Sequence, residues 1–423
     1  MEIEIGRGKK ARRAYGFDDV AIVPSRRTRD PDDVDITWTL GPYRFELPLL
    51  ASAMDGVVSP DSAGIIGKLG GLAVLNLEGI WTRYEDADDI LARIASLPKE
   101  QATREMQDIY QEPIKEELIT QRIKEIKAHG VVASASLTPQ RVEQYYELCL
   151  DAGLDILVVQ GTVISAEHVS SQGHALNLKE FVRELPIPVV VGGCASYSTG
   201  LHLMRTGAAG VLVGVGPGAA CTTRGVLGIG VPQATAIADV AAARSQHMLE
   251  TGEYCRVIAD GGMRTGGDVA KAIACGADAV MVGSPLARAY EAPGHGFHWG
   301  MATFHPTLPR GARVQTVQNG TLEEIVTGPA HENDGTFNLM GSLRTSMATC
   351  GYEDIPSFHR AEVMVAPALQ TEGKQLQRDQ AVGMGATAAA AAAPSTDSVS
   401  ANGGSGPVGL ATDNAPEEAL VGE

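Results

Sequence analysis

Eight short apolar runs recur along the chain: Pro48 to Ala53, Leu72 to Leu77, Val131 to Ser136, Ile156 to Gln160, Val189 to Gly192, Gly210 to Val213, Val257 to Ala259 and Ala279 to Val282. Each is followed by glycine or small polar residues, and most are separated by stretches of helical period. Their Val, Ile, Leu and Ala content does not alternate with polar residues, which suits strands buried on both faces, as in a parallel sheet covered by helices. Eight such strands predict an α/β fold, a closed (β/α)8 or TIM barrel. An open doubly wound sheet is the alternative arrangement of the same elements. Thr206 to Gly214 and Cys275 to Gly283 share one pattern, in which a helix ends at Gly, a strand follows and Gly closes it. Ordinary helix-to-strand loop grammar explains that likeness, and so does a true internal repeat.

Two regions break the rhythm. The charged stretch Trp81 to His129 carries Ile/Leu spacing over Ile114 to Ile126 that predicts one or two surface helices. Residues 81–129 therefore read as decoration of the barrel, too short for a regulatory domain with its own core. From Gly383 the chain becomes Ala-rich and then Ser/Gly/Asp/Glu-rich through Glu423, with little apolar bulk to bury. The expected organisation is one catalytic domain over 1–382 and a disordered tail over 383–423.

Composition narrows the partners. Hydrophobic residues make up 44% of the 423, enough for a large core, yet no apolar run reaches the roughly 20 residues a membrane helix needs. The net charge of -17 argues against nucleic acid and against an anionic membrane surface, so any anionic ligand is held locally. The start, Met1 to Gly6, shows no basic region followed by an apolar one, and a cytoplasmic location is expected. Six cysteines (Cys149, Cys194, Cys221, Cys255, Cys275, Cys350) include no CxxC pair, which disfavours a zinc cage and a disulfide framework.

In a TIM barrel the reactive groups sit on loops after the strands. After the sixth predicted strand comes Gly214 to Gly225, which places Cys221 among glycines, Thr222, Thr223 and Arg224. Nearby N–H dipoles and cationic charge favour a thiolate nucleophile; a buried inert cysteine in a flexible loop is the plainer reading. After the seventh strand comes Asp260-Gly261-Gly262-Met263-Arg264, and after the eighth Gly283-Ser284-Pro285-Leu286. Such loops commonly grip phosphate through backbone N–H groups, and an adjacent Asp can hold ribose hydroxyls. A turn Asp capping a helix, beside ordinary loop glycines, is the alternative.

These residues carry a resemblance. Gly216-Pro217-Gly218 to Arg224, Gly228 to Ile237, Ile258 to Arg264 and Gly276 to Ser284 closely resemble the IMP dehydrogenase/GMP reductase family, as do Phe17-Asp18-Asp19-Val20 and Ser52-Ala53-Met54-Asp55. The likeness spans about 14–352 and is nearest the dehydrogenase-related subgroup that lacks the CBS regulatory domain. It implies that Cys221 attacks C2 of a purine nucleoside monophosphate (GMP or IMP) to form a covalent thioimidate, assisted by Thr223. It implies that Asp260 binds the ribose, that Gly262, Gly283 and Ser284 bind the 5′-phosphate, and that Ser52 and Met54 line the base. Gly300 and Met301 belong to the family's phosphate and base loop. Gln160, Gly161 and Thr162 fall at the nicotinamide contacts for NADP(H) or NAD(H), with Gln160 where the family commonly has Asp. Backbone carbonyls of Gly216, Gly218 and Cys221 resemble a potassium site. A homotetramer is implied as well.

Three departures bear on the reaction. The flap, about 300–328, lacks the Arg-Tyr pair with which the dehydrogenase activates water; Arg310 and Arg313 are the possible substitutes. Gln318 by spacing, or Glu323 and Glu324 as the nearest carboxylates, is the candidate flap acid. His298 stands where the family loop has Tyr, and Ala219 where a phosphate-binding Ser is usual. The missing Arg-Tyr pair points to GMP reductase, producing IMP, ammonia and NADP. IMP dehydrogenase with an altered flap base and a low-turnover nucleotide-binding regulator are the alternatives.

Overall fold

The eight apolar runs become eight parallel strands: β1 (Leu49–Ala51), β2 (Leu72–Asn76), β3 (Ser134–Leu137), β4 (Ile156–Gln160), β5 (Val189–Cys194), β6 (Gly210–Val213), β7 (Arg256–Asp260) and β8 (Ala279–Val282). They pair in chain order, and β8 closes on β1 with Val280 opposite Leu49 and Val282 opposite Ala51, so the sheet is a closed TIM barrel. A computed structural model of the protein describes residues 2–165, 176–300, 312–366 and 373–386. Every residue of β1, β2, β3, β4, β5, β6 and β8 is buried, as a parallel sheet covered by helices requires. β3 starts three residues later than the run predicts, because Val131 packs against Gly67 of the first helix instead of entering the sheet.

Helices cover the barrel between strands. They are α1 (Pro60–Lys68), α2 (Ala87–Ser96), α3 (Lys99–Ile109), α4 (Glu116–Ala128), α5 (Val142–Asp151), α6 (Leu178–Glu184), α7 (Tyr197–Met204), α8 (Thr223–Leu227), α9 (Gln233–Thr251), α10 (Gly266–Ala274), α11 (Leu322–Val326) and α12 (Leu339–Thr349). Ser59, Ser196 and Thr265 cap α1, α7 and α10 by accepting a backbone N–H three residues on. Gly207 and Gly276, which end the helices that lead into the two look-alike segments, take φ of +95° and +115°, a conformation that disfavours any side chain. Loop grammar therefore suffices to explain their likeness.

The decorated region differs from expectation. Residues 81–129 hold three helices, not one or two. Of these, α4 is the barrel helix between β2 and β3, packed on α1 and α5. The inserted pair α2 and α3 buries Leu91, Ile94, Met106 and Ile109 in the main core, since each helix has one apolar stripe and no core of its own to share.

The other end of the barrel is closed by a hairpin, Trp38–Leu40 with Tyr43–Phe45. Trp38 stacks on Phe45 at 5.4 Å and donates Nε1–H to the Leu47 carbonyl at 2.9 Å. Leu40 lies under Gly210 at the foot of β6, and Arg256 at the foot of β7 donates to Thr39. Val363–Val365 pairs antiparallel with Val20–Ile22, joining the two ends of the domain. Residues 383–386 of the expected tail are described, with Gly383 N donating to Asn333 Oδ1 at 3.0 Å; the rest of it lies outside the described residues. Among the described residues no helix is long and apolar enough to cross a membrane.

Candidate active site

The loops after the strands enclose a cavity of about 1090 Å³ at the C-terminal end of the barrel. β6 delivers the glycine-rich loop, in which Cys221 N donates to the Gly218 carbonyl at 3.0 Å and closes a turn. The Cys221 thiol, partly open on the cavity, donates to the buried Thr223 Oγ1 at 3.2 Å. No other cysteine lines this cavity. Burial pushes the thiols of Cys149 and Cys194 up to about 12 and that of Cys275 to about 11, and it raises Cys255 and Cys350 too. These five are core groups held in the unreactive thiol form.

Across the mouth, the last residue of β4 meets the last residue of β7. Gln160 Nε2 donates to Asp260 Oδ2 at 3.2 Å, and no cation pairs with this carboxylate among the described residues. Enclosure pushes Asp260 up to about 7, and the Gln160 donor offsets only part of that. An Asp at position 160 would instead set two carboxylates side by side. Gln233 donates to the carbonyls of Val213 at 2.6 Å and Asp260 at 3.1 Å, tying the ends of β6 and β7 together beneath the thiol loop.

Ser52 and Met54 from the β1 loop, Gly262 from the β7 loop, and Gly283 and Ser284 from the β8 loop line the same cavity. A Cβ on Gly283 would fall 2.7 Å from Met54 Sδ, so glycine is what lets the first and last loops meet. Gly300 also lines the wall, whereas Met301 lies outside the described residues. Behind the wall, His298 Nε2 is 2.7 Å from Ser284 Oγ. Deeper still, Asp55 accepts from Ile80 N at 3.1 Å and from the Tyr110 hydroxyl, which itself accepts from Trp299 Nε1 at 2.6 Å. Desolvation pushes Asp55 up to about 6.

Gln160, Gly161 and Thr162 occupy the opposite side, next to Thr138 to Arg141, Glu78 and Arg83. Gln160 Oε1 is buried without a hydrogen-bond partner, an acceptor presented where a ligand amide or hydroxyl would satisfy it. The cavity exceeds the 300–1,000 Å³ or so of a typical single-ligand pocket, and with the orphaned Gln160 oxygen it fits a nicotinamide cofactor beside a nucleotide. For potassium, Gly218's carbonyl is engaged by Cys221 N and nothing in the loop marks the three carbonyls as a cage. Glu78, Arg83 and Arg141 were not singled out in the sequence; their position just after β2 and β3 is the signal that finds them.

Several candidates are not brought to the thiol. Gln318 gives its Nε2–H to the Ala289 carbonyl at 2.8 Å. Glu323 is exposed on α11, where its carbonyl accepts from Thr327 N at 2.7 Å. Glu324 caps the same helix through Thr321 N at 2.8 Å and pairs with His331 at 2.8 Å. None of the three lines the cavity. Arg313 lies over Phe297 at 4.3 Å and donates to the carbonyls of Ile94 and, at 2.7 Å, Leu97 at the end of α2. Arg310 and the rest of residues 301–311 of the expected flap lie outside the described residues.

Known proteins agree with this geometry. A family model described as the IMP dehydrogenase / GMP reductase domain matches residues 14–375. An uncharacterized oxidoreductase of Mycolicibacterium smegmatis is 47% identical over 86% of this chain and 99% of its own length. The inosine-5′-monophosphate dehydrogenase of Methanocaldococcus jannaschii is 26% identical over 86% of this chain and 95% of its own. The crystal structure of an IMP dehydrogenase/GMP reductase-like protein from Corynebacterium glutamicum superimposes with a TM-score of 0.82 at 44% identity, covering 86% of this chain and 97% of that one. With a closed barrel, one cavity-lining thiol and a domain match over most of its length, the chain belongs to the IMP dehydrogenase/GMP reductase family and is an NAD(P)-dependent oxidoreductase.

Proposed function

We propose that this protein is a GMP reductase acting at C2 of the purine through Cys221. The observation that carries the site is the Cys221 thiol, 3.2 Å from the Thr223 hydroxyl and alone among the cysteines in opening on the cavity. Thr223 is placed to relay the thiol proton. The Cys221 sulfur adds to C2 of GMP, the exocyclic amino group takes up a proton and leaves as ammonia, and a C2–S thioimidate remains. NADPH, when bound, supplies the hydride; as C2 receives it the C2–S bond breaks, releasing IMP and restoring the thiolate. Asp260 holds the ribose hydroxyls, Ser52 and Met54 contact the base, and Gly262, Gly283, Ser284 and the Gly300–Met301 segment hold the phosphate. Gln160, Gly161 and Thr162 hold the nicotinamide end. Gln318 and Glu323 are left out of the proton chemistry, because their described contacts lie elsewhere.

Arg313 supports the direction. Hydrolysing the thioimidate, as an IMP dehydrogenase must, needs a base for water, and this guanidinium is occupied by the carbonyl end of α2. IMP dehydrogenase remains the competing reading, favoured by the likeness to the Methanocaldococcus enzyme. The decisive assay follows nicotinamide absorbance in potassium buffer with GMP and NADPH and, separately, IMP and NAD. NADPH oxidation with ammonia release supports the reductase; NAD reduction with XMP formation overturns it. Binding without turnover in either assay favours the regulatory alternative. A cytoplasmic homotetramer is the assembly we propose, and light scattering showing a monomer at micromolar concentration overturns that.

A further inference from the structure

Ser284 and His298 form a two-residue unit that spans the cavity wall. Ser284 lines the cavity; His298 does not, and its side chain is fully buried with Nε2 2.7 Å from Ser284 Oγ. The ring is placed by backbone. Phe297–His298 pairs antiparallel with Val314–Gln315, and the His298 Cα packs so closely on Gly56 that a Cβ there would come within 3.3 Å. Burial lowers the imidazole to about 4, so the ring is neutral near pH 7 and carries one proton.

Where that proton sits decides what Ser284 can do. Nδ1 is buried with no hydrogen-bond partner among the described residues. A proton on Nδ1 would bury an unpaired N–H donor, whereas a proton on Nε2 leaves only a bare acceptor, the less costly orphan. The Nε2–H then donates to Ser284 Oγ. The serine hydroxyl, with its acceptor side filled from behind, is left to donate its own proton into the cavity.

We propose that His298 is a positioning residue that fixes Ser284 as an outward hydrogen-bond donor to the 5′-phosphate, a group that only accepts. This rests on the nucleotide reading above and deepens it: the imidazole acts one residue removed from the ligand, in the loop where the family has Tyr. The same arrangement gives no benefit to a nucleoside, which has no phosphate.

Calorimetric binding of GMP and of guanosine to the full-length protein tests the inference. Ser284→Ala is expected to weaken GMP about tenfold or more and leave guanosine unchanged. His298→Leu is expected to weaken GMP by a similar factor, again without changing guanosine, and the double variant is expected to be no worse than Ser284→Ala alone. His298→Gln, whose Nε2 can donate from the same place, is expected to stay within about threefold of the parent, while His298→Asn, which cannot reach, does not. Those two variants decide the matter if the leucine protein fails to fold. A GMP loss in Ser284→Ala with none in His298→Leu, or equal losses of GMP and guanosine in His298→Leu, overturns the role of His298 alone. If the parent binds GMP no tighter than guanosine, the phosphate reading falls and takes this inference with it.

Discussion

Asp278 at the foot of β8 and Asp260 at the head of β7 belong to neighbouring strands, yet their surroundings are opposite. Asp278 is saturated by the protein: Arg244 at 2.8 Å, the Tyr254 hydroxyl at 2.7 Å and Val257 N at 2.8 Å, with Arg256 at 3.9 Å. Asp260 has one neutral donor, Gln160, at 3.2 Å. A buried carboxylate held by a hydroxyl, a backbone N–H and two guanidinium groups belongs to the fold, whereas one left short of donors is the candidate for a ligand. The hairpin end of this barrel is finished chemistry; the loop end is unfinished by design of its contacts.

The sharpest separation of the two ends comes from Cys221→Ala. It should lower turnover by about a thousandfold or more while leaving the thermal midpoint unchanged, measured by initial rates and calorimetry on one preparation. Retained turnover would remove the covalent mechanism. Next in size, Asp278→Asn should cost about 3–5 kcal/mol in urea unfolding by leaving Arg244 unpaired, with nucleotide affinity unaltered. Asp260→Asn should do the reverse, weakening GMP about 10- to 100-fold with no loss of stability. If both variants lose stability equally, the contrast between the two carboxylates is void.

The pH dependence is smaller and has a definite sign. The folded value of Asp260, about 7, lies above its ordinary 3.8. Its contribution to stability is therefore complete below the ordinary value and is lost as pH rises through about 7. Without ligand the protein should melt at a lower temperature at pH 8 than at pH 6. On the proposed ribose role of Asp260, GMP affinity should move the other way, rising toward pH 7 and levelling above it, since hydroxyls would donate to the ionised form. Asp260→Asn should flatten this component of both profiles. Smallest of all, Glu323→Gln should change stability and turnover by less than about 0.5 kcal/mol, as befits an exposed residue whose helix is closed by backbone.

What could be read from the chain was what lies close together in it. Apolar runs mark the strands because burial on both faces leaves little room for alternation, β3 with its Ser-Ala-Ser-Leu being the exception. The cavity-lining loops follow from their position after those strands, so the place of Cys221, Asp260 and Ser284 on the cavity was legible. Gln160 meets Asp260 across 100 residues of sequence, and Arg313 reaches Ile94 across 219. No periodicity reports such pairs. The same limit hid the capping work of Glu324 and the place of His298 behind Ser284. Val131 misled because an apolar residue before a strand looks like the strand itself until its packing on α1 is seen.

The inserted helices α2 and α3 carry a consequence for descent. Tyr110 at the end of α3 bonds Asp55 and Trp299, and the last carbonyls of α2 hold Arg313. The layer behind the cavity wall thus leans partly on a segment outside the minimal barrel. A lineage that discarded the pair would take one donor from the buried carboxylate of Asp55 and both carbonyl acceptors from the guanidinium of Arg313, so the pair and these two residues should be kept or abandoned together.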